Sequence, residues 1–275
     1  MDGSIGIMDG GMDMNYKKTY KPAIGYTKLC EIGKSSCKRL EFGMVELNKG
    51  DTVTIDTEGK EFAFVFLFGH ADVQVGDVSW KNVGGRSNVF EGPAHTVVVP
   101  AHQRVTFTGL DHVKIGVCDT PSEKPFEPQW LKPDNVKVMT LGEPPFLRDC
   151  HMIVDERCNA NYLTVGESFV EPGNWAGFPG HKHDEDHMPA ESVAEEIYYF
   201  LFDPEQGYAL QSLYTADGEI DETYRVKGDD LTEFPRGYHA TCGIPGYKTY
   251  ILWLMAGDVQ GIHRVNDPEH EWVIK

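Results

Sequence analysis

The sequence is short of basic residues, and this shortage excludes several classes of partner. Its 25 lysines and arginines face 43 aspartates and glutamates, so the formal net charge is −18 at pH 7. An acidic surface repels polyanions, and neither nucleic acid nor an anionic membrane is an expected partner. No apolar run approaches the roughly 20 residues that a membrane-spanning helix needs. Residues 1–14 lack the basic start and apolar core of an export signal, which predicts a cytoplasmic protein.

Paired cysteines and long helical patterns are also missing. No CxxC pair occurs among the cysteines, so a structural zinc cluster is not expected. In a chain without an export signal, scattered thiols are expected to stay reduced. No long segment combines a 3.6-residue apolar period with helix caps. The six cysteines lie at positions 30, 37, 118, 150, 158 and 242.

Short strand-like segments are what the sequence has in abundance. They are rich in β-branched and aromatic residues, and Gly, Pro, Asp or Asn bounds most of them. Many short strands separated by such turns predict an all-β sandwich or barrel. The clearest segments are residues 61–68, 96–100, 105–108, 162–170, 196–202, 208–215 and 249–255.

An internal repeat indicates two barrels in tandem. EFAFVFLF begins at Glu61 and EEIYYFLF at Glu195, and these segments align the two halves of the chain. We predict an N-terminal barrel over residues 16–125 and a C-terminal barrel over 126–275, joined in a Pro-rich stretch. The alignment places Phe62 opposite Glu196 and leaves the first barrel without metal ligands. Its expected roles are scaffolding and subunit contact, which allows a homo-oligomer.

A candidate metal site lies in the second half. In HKH, His181 and His183 point to the same side of an extended segment, and Lys182 points away. A later carboxylate and His239, in PRGYH, would complete a shell of three nitrogens and one oxygen. Such a shell suits a divalent ion, with zinc as the first choice and manganese, iron or nickel as alternatives.

The identity of the carboxylate is open on spacing alone. We favour Glu196, because it opens the aromatic strand, whereas its neighbour Glu195 should face the opposite way. His187 is a candidate fourth imidazole, although its charged loop favours a solvated side chain. The other carboxylate candidates are Asp184, Glu185 and Glu191.

Further polar residues are candidates for the same cavity. Tyr198 should share the inward face of Glu196, as a catalytic phenol or as an ordinary core tyrosine. Arg148 offers a bidentate fork for a carboxylate, with a surface ion pair as the alternative. Glu222 is the candidate base. Candidate substrate contacts besides Arg148 are Gln211, Tyr214 and Trp253.

The chain resembles the 5-deoxy-glucuronate isomerase family of inositol catabolism, which is a bicupin family. The resemblance is carried by GNWAGFPGHKHDEDHMPAESVAEEIYYF, PRGYH and NDPEHEW, and it extends over nearly the whole chain from about Tyr20. The 5-keto-4-deoxyuronate isomerases look similar in their metal shell. The resemblance implies two cupin barrels and a metal site of His181, His183, Glu196 and His239.

The function that this resemblance implies is aldose–ketose isomerisation of a small deoxy-uronic acid. A metal would bind carbonyl and hydroxyl oxygens and stabilise an enediolate, while Glu222 or a hydroxide held by the metal moves the proton. A 5-keto-4-deoxyuronate-type isomerase, a metal-dependent dioxygenase and a non-catalytic sugar-binding cupin are the alternatives. Phe200, Ser212 and Trp253 stand where the family often has His, Arg and Asn, which predicts a shifted substrate preference or ordinary drift.

Overall fold

The protein is built almost entirely of β-strands. The computed structural model describes residues 15–274. Its two helical segments are single 3-10 turns, Pro133–Asn135 and Glu271–Ile274. The all-β prediction is therefore confirmed. Over the same residues, no helix combines the length and the apolar character that crossing a membrane requires.

Eleven strands precede the middle of the chain, and none is longer than nine residues. They are β1 (Lys17–Thr19), β2 (Gly25–Cys30), β3 (Glu41–Leu47), β4 (Thr52–Asp56), β5 (Lys60–Phe68), β6 (His70–Val75), β7 (Val78–Gly84), β8 (Thr96–Val99), β9 (Arg104–Gly109), β10 (Val113–Pro121) and β11 (Gln129–Leu131).

Eleven more strands follow in the second half. They are β12 (Lys137–Leu141), β13 (Arg148–Val154), β14 (Leu163–Val170), β15 (Trp175–Lys182), β16 (Ala194–Asp203), β17 (Tyr208–Tyr214), β18 (Asp221–Lys227), β19 (Asp230–Phe234), β20 (Tyr238–Gly243), β21 (Lys248–Gly257) and β22 (Val265–Asn266).

Each half folds into a barrel made of two sheets. In the first barrel, a six-stranded sheet of order β11-β8-β5-β10-β3-β2 accompanies a four-stranded sheet of order β4-β9-β6-β7. In the second, a seven-stranded sheet of order β1-β19-β16-β21-β14-β13-β12 accompanies a five-stranded sheet of order β18-β17-β20-β15-β22. Each barrel has an apolar core of its own. The tandem-barrel prediction is confirmed.

The two halves exchange their terminal strands. β1 pairs with β19 of the second barrel, where Lys17 lies opposite Thr232. β11 pairs with β8 of the first barrel, where Gln129 lies opposite Val98. The boundary between residues 125 and 126 stays a prediction, and the hydrogen-bonded sheets cross it at both of these strands.

Strand alternation divides the apolar side chains between the barrel interiors and a shared interface. On β5, Phe62 and Phe64 belong to the core inside the first barrel, and their rings stack 5.4 Å apart. The intervening side chains belong to a third core, between the six- and seven-stranded sheets. Aromatic rings thus fill the first barrel at the position that the repeat aligns with Glu196. Members of the shared core include Ala63, Val65, Leu67, Ile197, Tyr199 and Leu252.

A buried ion pair crosses the interface between the barrels. Arg86, which follows β7, donates to the carboxylate of Glu167 on β14, and both side chains are almost fully buried. The Tyr250 hydroxyl donates to the same carboxylate at 2.7 Å. Arg86 also donates through Nε to the Leu67 carbonyl at 2.9 Å. The charge of each partner is therefore compensated inside the protein.

Two glutamates that the repeat aligns accept hydrogen bonds from the backbone of the other barrel, one on each side of the interface. Glu61 on β5 accepts three consecutive backbone N–H groups, those of residues 161–163, at 2.7–2.9 Å. Glu195 on β16 accepts the backbone N–H groups of Lys38 and Arg39 at 2.7–2.9 Å. The repeat thus extends to the contacts between the barrels, and it assigns Glu195 a structural role.

Candidate metal centre

Three histidines and a glutamate meet inside the second barrel. His181 lies near the end of β15 and His183 just beyond it, Glu196 lies on β16, and His239 lies on β20. One ligand atom from each of the four lies within 4.8 Å of the others, and all four residues are buried. Among residues 15–274 this is the only such group.

A distortion in β15 places His181 beside His239. The pairing of β15 with β20 shifts register between Ala176 and His181, which lies opposite His239. Gly177, within the shift, has a φ of 69°, in the left-handed region. A Cβ at this position would lie 2.7 Å from Cε1 of His181. Glycine is therefore required by both the backbone conformation and the packing of the imidazole.

Each imidazole is oriented by a backbone carbonyl. Nδ1 of His181 donates to Gly177 at 3.0 Å, and Nδ1 of His183 donates to Ala194 at 2.9 Å. His239 donates in the same way to the carbonyl of residue 237 at 3.2 Å. Donation through Nδ1 leaves the Nε2 lone pair available, which is the usual arrangement of histidines that bind a metal.

The contacts of Glu196 show that the four side chains fit a metal ion. Its Oε2 lies 3.0 Å from Nε2 of His183 and 2.9 Å from Nε2 of His239. With Nδ1 carrying the proton, each Nε2 directs a lone pair at a carboxylate oxygen. That approach is unfavourable unless a proton or a metal ion lies between them. Three nitrogens and one oxygen are a ligand set that zinc and related ions accept.

Most of the group holds the protonation states that a metal needs. Burial lowers the pKa of His181 well below its ordinary value, and His239 contributes; burial also lowers the pKa of His239. Burial opposes ionisation of Glu196, but its contacts with His183 and His239 prevail and lower its pKa to about 2. Burial alone would lower the pKa of His183, but Glu196 raises it. Metal binding would release the second ring proton of His183 wherever that imidazole is charged.

The two adjacent glutamates of β16 allow a matched test of the carboxylate. We expect Glu196→Gln to weaken metal binding, because an amide supplies no negative charge to the group. Glu195→Gln should leave metal binding intact and lower stability instead, because Glu195 holds backbone N–H groups of the other barrel. Metal titration and thermal unfolding of both variants measure the two effects. Equal losses of metal affinity would show that Glu196 is not the carboxylate ligand.

A cavity of about 120 Å³ adjoins the group. Of the candidates named from the sequence, Arg148, Tyr198 and Trp253 line it. Burial raises the pKa of Tyr198 well above its ordinary value, with Glu196 contributing, so the phenol stays protonated at neutral pH. Trp253 donates through Nε1 to Ser168 Oγ at 3.1 Å. The remaining walls include Cys150, Ser168, Ile251, Met255 and Ile262.

Three other candidates lie away from this cavity. Gln211 is buried in the five-stranded sheet, where its Nε2 donates to the Ala240 carbonyl at 3.0 Å. Tyr214 donates to Asp267 at 2.6 Å. Glu222 is half-buried on the edge strand β18. None of the three is among the residues that line the cavity.

The loop after HKH is held by its own charges. Lys182 Nζ lies 2.6 Å from Asp184 and 2.9 Å from Glu191, which directs both carboxylates toward the lysine. His187 is exposed and pairs with Glu185 at 3.1 Å. These alternative ligands are outside the group of four.

The charged residue Arg264 also lines the cavity and was not predicted from the sequence. Arg264 lines the cavity from the segment that precedes β22, and β22 pairs with the end of β15 so that Asn266 lies opposite His181. In the sequence, Arg264 lies between PRGYH and NDPEHEW, and no characteristic spacing relates it to the histidines. Its place depends on the pairing of a two-residue strand, which propensity does not predict.

The sequence and the fold both match known proteins. The family model described as KduI/IolB matches residues 20–273. The 5-deoxy-glucuronate isomerase of Geobacillus thermodenitrificans is 37% identical over 85% of this chain and 86% of its own. The enzyme of the same name from Bacillus subtilis strain 168 is 34% identical over 86% of this chain and 88% of its own.

Solved structures confirm the tandem cupin-type fold. An IolB-like protein from Salmonella typhimurium LT2 superposes with a TM-score of 0.91 at 28% identity, over 95% of this chain and 100% of its own. The oxalate decarboxylase of Lactobacillus farciminis superposes with a TM-score of 0.69 over 97% of this chain and 92% of its own. Its sequence is 12% identical, so this likeness concerns the fold alone.

Proposed function

The chain belongs to the KduI/IolB family and is an isomerase, and on that premise we propose that it is metal-dependent and acts on 5-deoxy-glucuronate or a related deoxy-uronic acid. The reaction would interconvert the aldose and ketose forms. Relatives at 34–37% identity over most of the chain carry the name of this activity. Zinc is the first choice of metal, and manganese, iron or nickel would suit the same donors.

This proposal rests on which residues line one cavity. His181, His183 and Glu196 lie at its wall together with Arg148. A sugar acid needs both a group that polarises its carbonyl and a cation for its carboxylate. One cavity of this protein offers both.

The four clustered residues would hold the metal. Bound there, a divalent ion supplies Lewis-acid polarisation of a carbonyl oxygen, which eases loss of a proton from the adjacent carbon. The imidazoles supply neutral donors, because backbone carbonyls fix their Nδ1–H groups. Glu196 supplies the negative charge that offsets part of the charge of the ion.

Tyr198 is the protonated donor of the cavity. Because its pKa is raised, its hydroxyl keeps its proton at neutral pH and can donate a hydrogen bond to an oxygen that gains charge in the reaction. The proposed base Glu222 would have to act from outside the cavity. Burial keeps the phenol in place beside the metal group.

We expect the purified, metal-loaded protein to isomerise 5-deoxy-glucuronate. Of the three departures noted in the sequence, only Trp253 lines the cavity. Phe200 lies in the barrel core, and Ser212 donates to the Ala240 carbonyl. If the substrate preference differs from that of the relatives, Trp253 is the residue that would cause it, because its bulk favours a sugar acid of a different shape from 5-deoxy-glucuronate.

Measuring kcat/KM for 5-deoxy-glucuronate, 5-keto-4-deoxyuronate and D-glucuronate tests both points. A preference of roughly tenfold for 5-deoxy-glucuronate, which corresponds to about 1.4 kcal/mol in transition-state binding, would mean that Trp253 does not retune the cavity. Absence of turnover with all three sugars, at full metal occupancy, would refute the proposed function.

A further inference from the structure

The cavity contains two arginines that form no ion pair with any carboxylate of residues 15–274. Within residues 15–274, Arg148 and Arg264 form no ion pair, although acidic residues exceed basic ones by far in this chain. Arg225 also lacks a carboxylate partner in the described part of the chain, but it lies over the ring of Tyr208, 4.1 Å from the centroid. The other arginines pair as Arg39–Asp258, Arg86–Glu167, Arg104–Asp56, Arg157–Asp155 and Arg236–Asp217.

Arg148 enters the cavity from the first residue of β13. Its Nη1 donates to the Phe146 carbonyl at 3.2 Å, which is the only hydrogen bond of its guanidinium to residues 15–274. Desolvation lowers the pKa of Arg148, and the charge of Arg264 adds to the effect. A guanidinium has five N–H donors, so most of those of Arg148 are open to a ligand.

Arg264 reaches the same cavity from the segment just before β22, close to the C-terminal end of the sequence. Its Nη1 donates to Asn266 Oδ1 at 3.1 Å, which ties the guanidinium to β22. The residue is exposed, yet desolvation lowers the pKa of its guanidinium. The pairing of β22 with β15 therefore sets the position of this cation relative to His181.

Two like charges in one partly desolvated cavity are unfavourable without an anion. Each charge makes desolvation of the other more costly, and the charge of Glu196, which offsets part of that cost at Arg264, is shared with two imidazoles. We propose that Arg148 and Arg264 together form a carboxylate clamp that holds the acid end of the substrate while its other end faces the histidines. This inference rests on the proposed function for the identity of the substrate, but not for the presence of the anion site.

With this clamp, tight binding of a sugar requires that the sugar carry a carboxylate. A planar carboxylate has about four lone pairs on two oxygens, so it can accept N–H donors from two guanidinium groups at once, and hydrogen bonds between charged groups are the strong ones. A neutral sugar of the same length would leave both cations unpaired. The cavity should therefore discriminate sugar acids from neutral sugars before any chemistry takes place.

Binding of an unreactive sugar acid tests the clamp directly. D-gluconate is an open-chain acid without a carbonyl to isomerise, and sorbitol is its neutral counterpart. By calorimetry on the metal-loaded full chain, we expect gluconate to bind at least tenfold more tightly than sorbitol. Arg148→Met and Arg264→Met should each weaken gluconate binding roughly tenfold to a hundredfold and leave sorbitol unchanged. Arg264→Lys, which keeps the charge but loses the fork, should lie between.

Arg225→Met is the matched control, because it removes an unpaired arginine outside the cavity and should not change gluconate binding. Metal content and thermal unfolding of each variant establish that it is folded and loaded. With 5-deoxy-glucuronate, Arg264→Met should raise KM far more than it lowers kcat. Wild-type gluconate affinity in Arg264→Met, or equal losses for gluconate and sorbitol, would overturn the clamp.

The clamp and the proposed function fail in different ways. Arginine-dependent gluconate binding without isomerisation of any of the three sugars would support the clamp and refute the activity. Isomerisation of 5-deoxy-glucuronate with a wild-type KM in Arg264→Met would support the activity and refute the clamp.

Discussion

Replacement of His239 by alanine is expected to remove most of the bound metal and to lower isomerase activity by more than about a hundredfold. Loss of a residue that only supports a metal ligand typically costs tenfold to a hundredfold, and His239 would be a ligand itself. Its Nε2 lies 2.9 Å from Glu196, and its ring stacks on Phe234, 4.4 Å between centroids. Alanine removes one of the three nitrogen ligands of the proposed metal.

Elemental analysis of protein purified without chelator measures this effect, together with turnover of 5-deoxy-glucuronate. The wild type should carry about one metal per chain, since the first barrel has aromatic rings where the second has Glu196. His187→Ala is the control, because that imidazole is exposed and pairs with Glu185. Full metal occupancy in His239→Ala would contradict the proposed ligand set, as would two metals per chain in the wild type.

Replacement of Glu167 by alanine is expected to lower the free energy of unfolding by about 3–5 kcal/mol. Breaking a buried pair by removing one partner leaves the other charge uncompensated, which has a cost of this size. Here the remaining charge is Arg86, of which 5% of the side chain is exposed. The Tyr250 hydroxyl would lose its acceptor in the same change.

Urea unfolding of the variant measures this loss of stability, and an exposed pair provides the comparison. Asp56→Ala removes the partner of Arg104 at the surface, where solvent screens the pair, and it should change stability far less. The double variant Arg86→Met, Glu167→Leu should recover part of the stability, because it removes both charges. A loss below about 1 kcal/mol for Glu167→Ala would mean that Arg86 finds another partner or water.

The fold could be predicted because its signals are local or repeated. Strand segments alternate with a period of two, and the agreement between the segments at Glu61 and Glu195 predicts a second barrel. The metal group was predictable in part, since HKH and the strand at Glu196 indicate where inward-facing donors lie. The structure brings those residues together with His239, and their role as ligands stays a prediction.

The rest depends on pairings that no local pattern contains. Arg264 reaches the cavity through β22, a strand of two residues. Glu222 has the chemistry of a base, but its edge strand places it outside the cavity lining. Glu195 and Glu196 look alike in sequence, and only the barrel contact made by residues 38 and 39 shows what Glu195 holds. Long-range contacts determine the identity of the cavity walls.

The exchange of β1 has a consequence for the protein as it leaves the ribosome. β1 is synthesised early, yet Thr19 donates its hydroxyl to Asp230, which lies 211 residues later. At roughly 5–20 residues per second, β1 waits about 10–40 s for its partner strand. During that time the first barrel can close without it, because β1 is not part of either of that barrel's sheets. The second barrel, in contrast, completes its seven-stranded sheet only after β1, which is synthesised before the strands of the first barrel, has returned to it.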